Sequence, residues 1–178
     1  MGAIADAIDA VNRRVGRVFA WASLALVLVQ FTVVVMRYVF GIGSIWLQES
    51  LVYLFGLQFT LMAGATLLAD GHVRVDILYR PAGPRARAAV DLAGSLLFLL
   101  PLAGVVLWTG LPYVTKSWAI LEGSRETSGI PALFLLKSGI LAFTVLTGLQ
   151  GVSLAIRAVQ ALRGEAVGLA RFGGDPAP

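Results

Sequence analysis

Residues 45–53 read IWLQESLVY and open an apolar run that continues to Ala69. The run has the composition of a membrane-spanning helix, yet Gln48 and Glu49 lie inside it. An ionised carboxylate set in hydrocarbon costs at least ~2.5–3.5 kcal/mol, so Glu49 requires a partner. The rest of the chain supports the membrane reading. Its 178 residues are 58% hydrophobic and 13% charged, with a mean hydropathy of +0.84, whereas a soluble domain carries about 25% charged residues. A chain of this kind cannot cover itself with polar side chains in water.

Four apolar runs are long enough for a bilayer, which takes ~20 helical residues. They cover roughly residues 18–36, 45–69, 88–113 and 130–156. The expected fold is all-α, an integral membrane four-helix protein. Of the 14 Lys and Arg residues, only Arg37, Lys116, Arg125 and Lys137 fall on one side of these spans. The positive-inside rule therefore places both termini and the loop 70–87 in the cytoplasm, and the loop 114–129 outside. The first apolar run exceeds the ~7–15 residues of a signal-peptide core and reads as a retained anchor. Ahead of it, in residues 1–17, Ile4, Ile8, Val11 and Val15 recur at helical spacing. This segment is either an amphipathic helix on the cytoplasmic membrane surface or a frayed terminus. Residues 164–178, rich in Gly, Ala and Pro, read as a flexible cytoplasmic tail. Gly71 is placed to end the second span, Pro84 to begin the third, Pro101 to kink it and Pro112 to terminate it.

Several function classes are disfavoured. The chain has no Cys and a single His, His72, so thiolate chemistry and a zinc site of several imidazoles are excluded. No GxSxG, P-loop, HExxH or dinucleotide fingerprint occurs, and neither a metal nor a cofactor is expected. The net charge of +4 resides at the edges of the apolar runs, the pattern of membrane orientation rather than of nucleic-acid binding.

Glu49 lies about 6 Å and Lys137 about 9 Å into their spans from the outer end, at helical rise. Arg37 sits just above them. A Glu49–Lys137 or Glu49–Arg37 ion pair is the expected arrangement. The competing reading makes Glu49 a proton or cation site in a self-sufficient small oligomeric transporter or channel. Gly56, Thr60 and Gly64 recur every fourth residue on span two, matched by Thr144 and Gly148, and by Gly151 and Ala155, on span four. Such stripes let helices approach closely, within the chain or against another membrane protein. In the loop, His72, Arg74 and Asp76 alternate with apolar residues. They form either a weak acid–base set, as in an enzyme acting on lipid, or a polar loop lying against headgroups.

Three stretches, RYVFG at 37–41, WLQES at 46–50 and GHVRVDIL at 71–78, resemble in order and spacing the small permease subunit of tripartite ATP-independent periplasmic (TRAP) transporters. The resemblance extends from about Arg14 to Arg163. In the family a Trp in span two commonly precedes two adjacent acidic residues; here Gln48 occupies the first position. The resemblance implies a multi-pass protein of the bacterial inner membrane that is not an enzyme and does not transport alone. Its implied partners are a large permease subunit, a periplasmic solute-binding protein and membrane lipids. The transport implied is ion-coupled uptake of an organic acid or similar solute. On this reading Trp46 anchors span two at the periplasmic interface, while Gln48 and Glu49 make polar contacts in the bundle or with the large subunit. Arg37 pairs with Glu49 or with lipid phosphate, and His72, Arg74 and Asp76 order the cytoplasmic loop. The segment from Trp118 to Thr127 touches the binding protein.

Overall fold

The structure, a computed structural model, describes residues 2–73, 76–79 and 81–173. Every element among them is a helix. Four are long and apolar enough to cross a membrane: α1 (Gly2–Tyr38), α2 (Ile45–Leu68), α4 (Pro84–Ala119) and α5 (Leu133–Leu162). Two are short, α3 (Asp76–Tyr79) and α6 (Ala166–Arg171). The bundle is organised around α5, which touches α1, α2, α4 and α6.

The interior is built from small and polar side chains. Buried on α5 are Gly139, Thr144, Thr147, Gln150, Gly151 and Ser153. The large apolar side chains point outward, with Trp21, Phe31, Phe59, Phe98 and Trp108 all exposed. Lipid supplies no hydrophobic drive between helices, so close backbone approach and interhelical hydrogen bonds must do the joining. The stripe on α2 works in this way. A Cβ on Gly56 would lie 2.8 Å from Leu136 Cδ1, and one on Gly64 would lie 2.9 Å from the Leu146 carbonyl oxygen. From the other side of that interface, Thr60 Oγ1 would lie 2.9 Å from a Cβ on Gly139. Between α1 and α2, Gln58 Nε2 donates to Ser23 Oγ at 2.6 Å. Thr32, Thr109, Thr115 and Thr144 return their hydroxyls to the carbonyl one turn back, which satisfies them where no water is present.

Several boundaries differ from the sequence reading. The expected surface helix 1–17 and first span 18–36 form one unbroken helix, α1, about 55 Å long at helical rise. Its buried face is Ala5, Asp9, Asn12 and Gly16, not the apolar face of Ile4, Ile8, Val11 and Val15; Ile4 and Val11 are exposed. The left-handed residue after α2 is Asp70, with φ 59°. Its N–H donates to the Leu67 carbonyl, and that of Gly71 to the Thr66 carbonyl. The Schellman closure thus places Asp70, and not Gly71, at the position that glycine usually takes. Pro84 does open α4. Just before Pro101 the helix widens into a π turn, Ser95–Leu99, in which the Leu100 N–H reaches the Ser95 carbonyl. Pro101 has no N–H of its own to offer, and a single wide turn absorbs the break in the ladder. Pro112 does not terminate the helix, which runs on to Ala119.

The tail also departs from expectation. Residues 166–171 form α6, and Phe172 is buried against Ala88, Ala158 and Ala161. Gly164, at φ +81°, turns the chain after α5. Arg87 Nη1 donates to the Phe172 carbonyl at 3.3 Å, which ties this segment to α4. The remainder of the expected tail, 174–178, lies outside the described residues.

Gly64→Ala is expected to destabilise the fold by about 1–3 kcal/mol, because backbone of α5 and Asn12 of α1 both block the added methyl. Gly104, which has open space around it, is the control: Gly104→Ala should be neutral or slightly stabilising. Thermal unfolding of the two variants in the same detergent separates them, and equal midpoints would refute the assignment.

Candidate functional site

At the end of the bundle where α2 begins, the loop between α4 and α5 folds back over the first turn of α2. Its course follows from local hydrogen bonding. After α4, Leu121 takes a left-handed conformation with φ 46°, and the Glu122 N–H donates to the Ser117 carbonyl. Ser124 N–H then pairs with the Ile130 carbonyl, and Gly129 N–H with that of Glu126. This closes a compact loop directly above Glu49.

Glu49 fastens it. One carboxylate oxygen accepts from the Ser124 hydroxyl, and the other accepts from the Ile130 backbone N–H at 2.6 Å. Tyr53, one turn along α2, reaches the Ile130 carbonyl at 3.5 Å. Gly129 is required here, since a Cβ would come within 2.6 Å of Glu49 Oε2.

The expected Glu49–Lys137 and Glu49–Arg37 pairs are not formed. Lys137 Nζ instead meets Glu122 Oε2 at 2.5 Å and lies 4.2 Å from the Tyr113 ring centroid, a cation–π contact. Glu122 also accepts from Ser117 Oγ at 2.7 Å. The physical reason is the direction of the loop: it presents Glu122 to α5 and N–H and O–H donors to α2, so each charge finds its complement nearby. Lys137 and then the Ser117 hydroxyl hold the Glu122 carboxyl below its ordinary value of 4.5. Beside them, Trp118 Nε1 donates to Ser138 Oγ at 2.8 Å, and the Trp118 and Phe134 rings meet edge to face at 4.6 Å.

A second polar cluster lies at the opposite end, where α1 crosses α5. Asp9 Oδ1 accepts from Ser153 Oγ at 2.6 Å and Gln150 Nε2 at 2.9 Å. Arg157 Nη2 bridges Asp9 at 3.0 Å and Asp6 at 2.6 Å. Asn12 Nδ2 donates to Gln150 Oε1 at 2.8 Å and to the Leu146 carbonyl at 3.3 Å. The sequence reading missed this cluster. Its signal was present: Asp9, Asn12 and Gly16 on α1, and Gln150, Ser153 and Arg157 on α5, recur at three- and four-residue intervals, so each set shares one helix face.

The other singled-out residues are dispersed. Trp46 and Arg37 are exposed near the turn between α1 and α2, and Gln48 is half-buried. Arg37 and Gln48 line one small crevice. Gly56, Thr60 and Gly64 face inward, as above. His72 is exposed after α2. Arg74 and the side chain of Asp76 lie outside the described residues.

A family model described as the DctQ component of tripartite ATP-independent periplasmic transporters matches residues 26–166. No curated protein and no solved structure matches the chain.

Two measurements check this geometry. In a double-mutant cycle on stability, Glu122→Gln and Lys137→Met should be coupled, whereas Glu49→Gln and Lys137→Met should add to within about 0.5 kcal/mol. Coupling confined to the Glu49 pair would restore the discarded arrangement. The second measurement is pH. Because folding lowers the Glu122 pKa, its stabilising contribution is complete above the unfolded value of 4.5. The contribution declines as pH falls below that value and is lost once pH passes through the lower folded value. Trp118 emission, taken as the difference from Trp118→Phe, should show this acid transition in the wild type and lose it in Glu122→Gln. Identical acid profiles for the two would refute the link.

Proposed function

The chain belongs to the DctQ family, the small membrane component of TRAP transporters, and on that premise we propose that it braces a large permease subunit rather than carrying solute itself. It is a multi-pass membrane protein. Family members work beside a large permease, DctM, and a binding protein, DctP. In the proposed reading this chain sits in the bacterial inner membrane with both termini in the cytoplasm. It forms the fixed part against which the large subunit moves during ion-coupled symport of an organic acid or similar solute. The solute is delivered by the periplasmic binding protein.

The observation that supports bracing is the state of the charges at the outer membrane layer. Glu49 is committed to Ser124 and Ile130, and Lys137 to Glu122. A coupling site needs a group free to gain and lose an ion. These groups are spent on holding the loop, which counts against a self-sufficient carrier or channel built on Glu49. Trp46, Arg37 and Gln48 are accessible at the same end, and in this reading they meet the large subunit or interfacial lipid. The exposed residues 125–128 face the binding protein, and His72, Arg74 and Asp76 order the cytoplasmic loop.

Tagged chain purified from its native membranes into nanodiscs should bring down a large permease subunit as a stable complex. In proteoliposomes the chain alone should move no solute. Uptake by the isolated chain, abolished in Glu49→Gln, would overturn the proposal.

A further inference from the structure

At the end of the bundle opposite Glu49, a groove of 710 Å³ opens between α1, α2, α5 and α6. Its walls are of two kinds. Gly16, Met62, Ala65 and Leu68 give an apolar strip. Arg13, Arg157 and Arg171 bring three guanidinium groups to the same groove, against one carboxylate, Asp9.

The charges are unevenly used. Arg157 is taken by Asp6 and Asp9. Arg171 spends one nitrogen on the Leu68 carbonyl at 3.2 Å, which fixes its position at the rim and leaves its other donors open. Arg13 is exposed and makes no ion pair or hydrogen bond with the described residues. A guanidinium with unused donors beside an apolar wall fits a ligand that is anionic at one end and hydrocarbon at the other.

We propose that this groove holds one anionic phospholipid, with its phosphate at Arg13 and Arg171 and an acyl chain along Met62 and Ala65. The inference rests on the chain being a membrane protein and not on its assembly with a large subunit. A lipid is the occupant that the surroundings supply, because the groove is walled by three membrane-spanning helices, α1, α2 and α5, at the level where α1 carries Arg13, Arg14 and Arg17. Helix α6 forms one wall through Val167 and Arg171. That gives the ordering of this segment a role at the site.

The test is native mass spectrometry of the full chain released from mild detergent after incubation with phosphatidylglycerol or phosphatidylcholine. The wild type should retain one phosphatidylglycerol in preference to phosphatidylcholine. Arg13→Gln should weaken that retention about fivefold, the scale of one basic residue at a charged lipid surface. Arg163→Gln, which removes a cation at the same end but outside the groove, should leave it unchanged. Equal retention of the two lipids, or equal loss in both variants, would overturn the proposal by showing a non-specific surface attraction. Displacement by millimolar inorganic phosphate would overturn it in favour of a free-anion site. Loss of the lipid on assembly with the large subunit would overturn it in favour of a protein occupant.

Discussion

The structure depends on one constraint: inside a bilayer, polar groups find partners within the protein or not at all. Helix α5 meets much of it, although Thr147 Oγ1 and Gln160 Oε1 on α5, Asn12 Oδ1 on α1 and Ser95 Oγ on α4 are buried without a hydrogen-bond partner among the described residues. Gly139 and Gly151 admit the side chains of Thr60 and Leu99, while Gln150 and Ser153 hand hydrogen bonds to Asp9 of α1. Neighbouring helices are thus joined at the points where their backbones come closest. The inverted pattern, with small and polar side chains inside and Trp, Phe and Leu outside, is the direct result. Hydrocarbon outside the bundle solvates the large side chains as well as its interior would.

The same constraint explains why the two ends are so heavily bonded. A loop leaving a span carries N–H and C=O groups that no helix satisfies. At the end where α2 begins, Glu49 accepts from the loop's Ile130 N–H, and Phe134 N–H finds the Glu122 carbonyl. At the other end, three consecutive features do similar work: the left-handed Asp70, the Arg171 contact to the Leu68 carbonyl, and Arg87 on the Phe172 carbonyl. Glu49, Arg87 and Arg171 satisfy backbone groups, whereas Glu122, Asp9 and Arg157 are held by other side chains. The burial of Glu49, Glu122, Asp9 and Arg157 is offset because each makes two or more bonds.

The spans were legible in the sequence because hydropathy over twenty residues is a strong signal; α2 begins at the expected Ile45. Glu49 was legible as a charge needing a partner, but its partner was not. Matching depth along two helices suggested Lys137, yet depth says nothing of how a loop folds between them. Only the left-handed turn at Leu121 brings Ser124 and Ile130 over Glu49 and Glu122 over Lys137. The α1–α5 cluster was missed for a different reason. Residues 2–17 look amphipathic in the ordinary sense, and in water the apolar face would be the buried one. Next to a membrane the roles reverse, so the face of Asp9 and Asn12 packs inward. The C-terminal segment looked too poor in large side chains to order, but a single Phe172 seated among alanines and one Arg87 contact are enough.

Between these two bonded ends the spans carry no Asp, Glu, Lys, Arg or His. On α5 none lies between Lys137 and Arg157, on α2 none between Glu49 and Asp70, and on α1 none between Arg17 and Arg37. A carrier that moves a charged solute or a coupling ion must offer polar partners near the midplane, where the ion is most costly to hold. This chain places its charges only at the rims, where Glu49, Glu122, Lys137, Asp9 and Arg157 are tied to its own loops and helices. Two bonded ends and a closely packed middle without formal charges leave no site of that kind, which is the arrangement that the proposed bracing role requires.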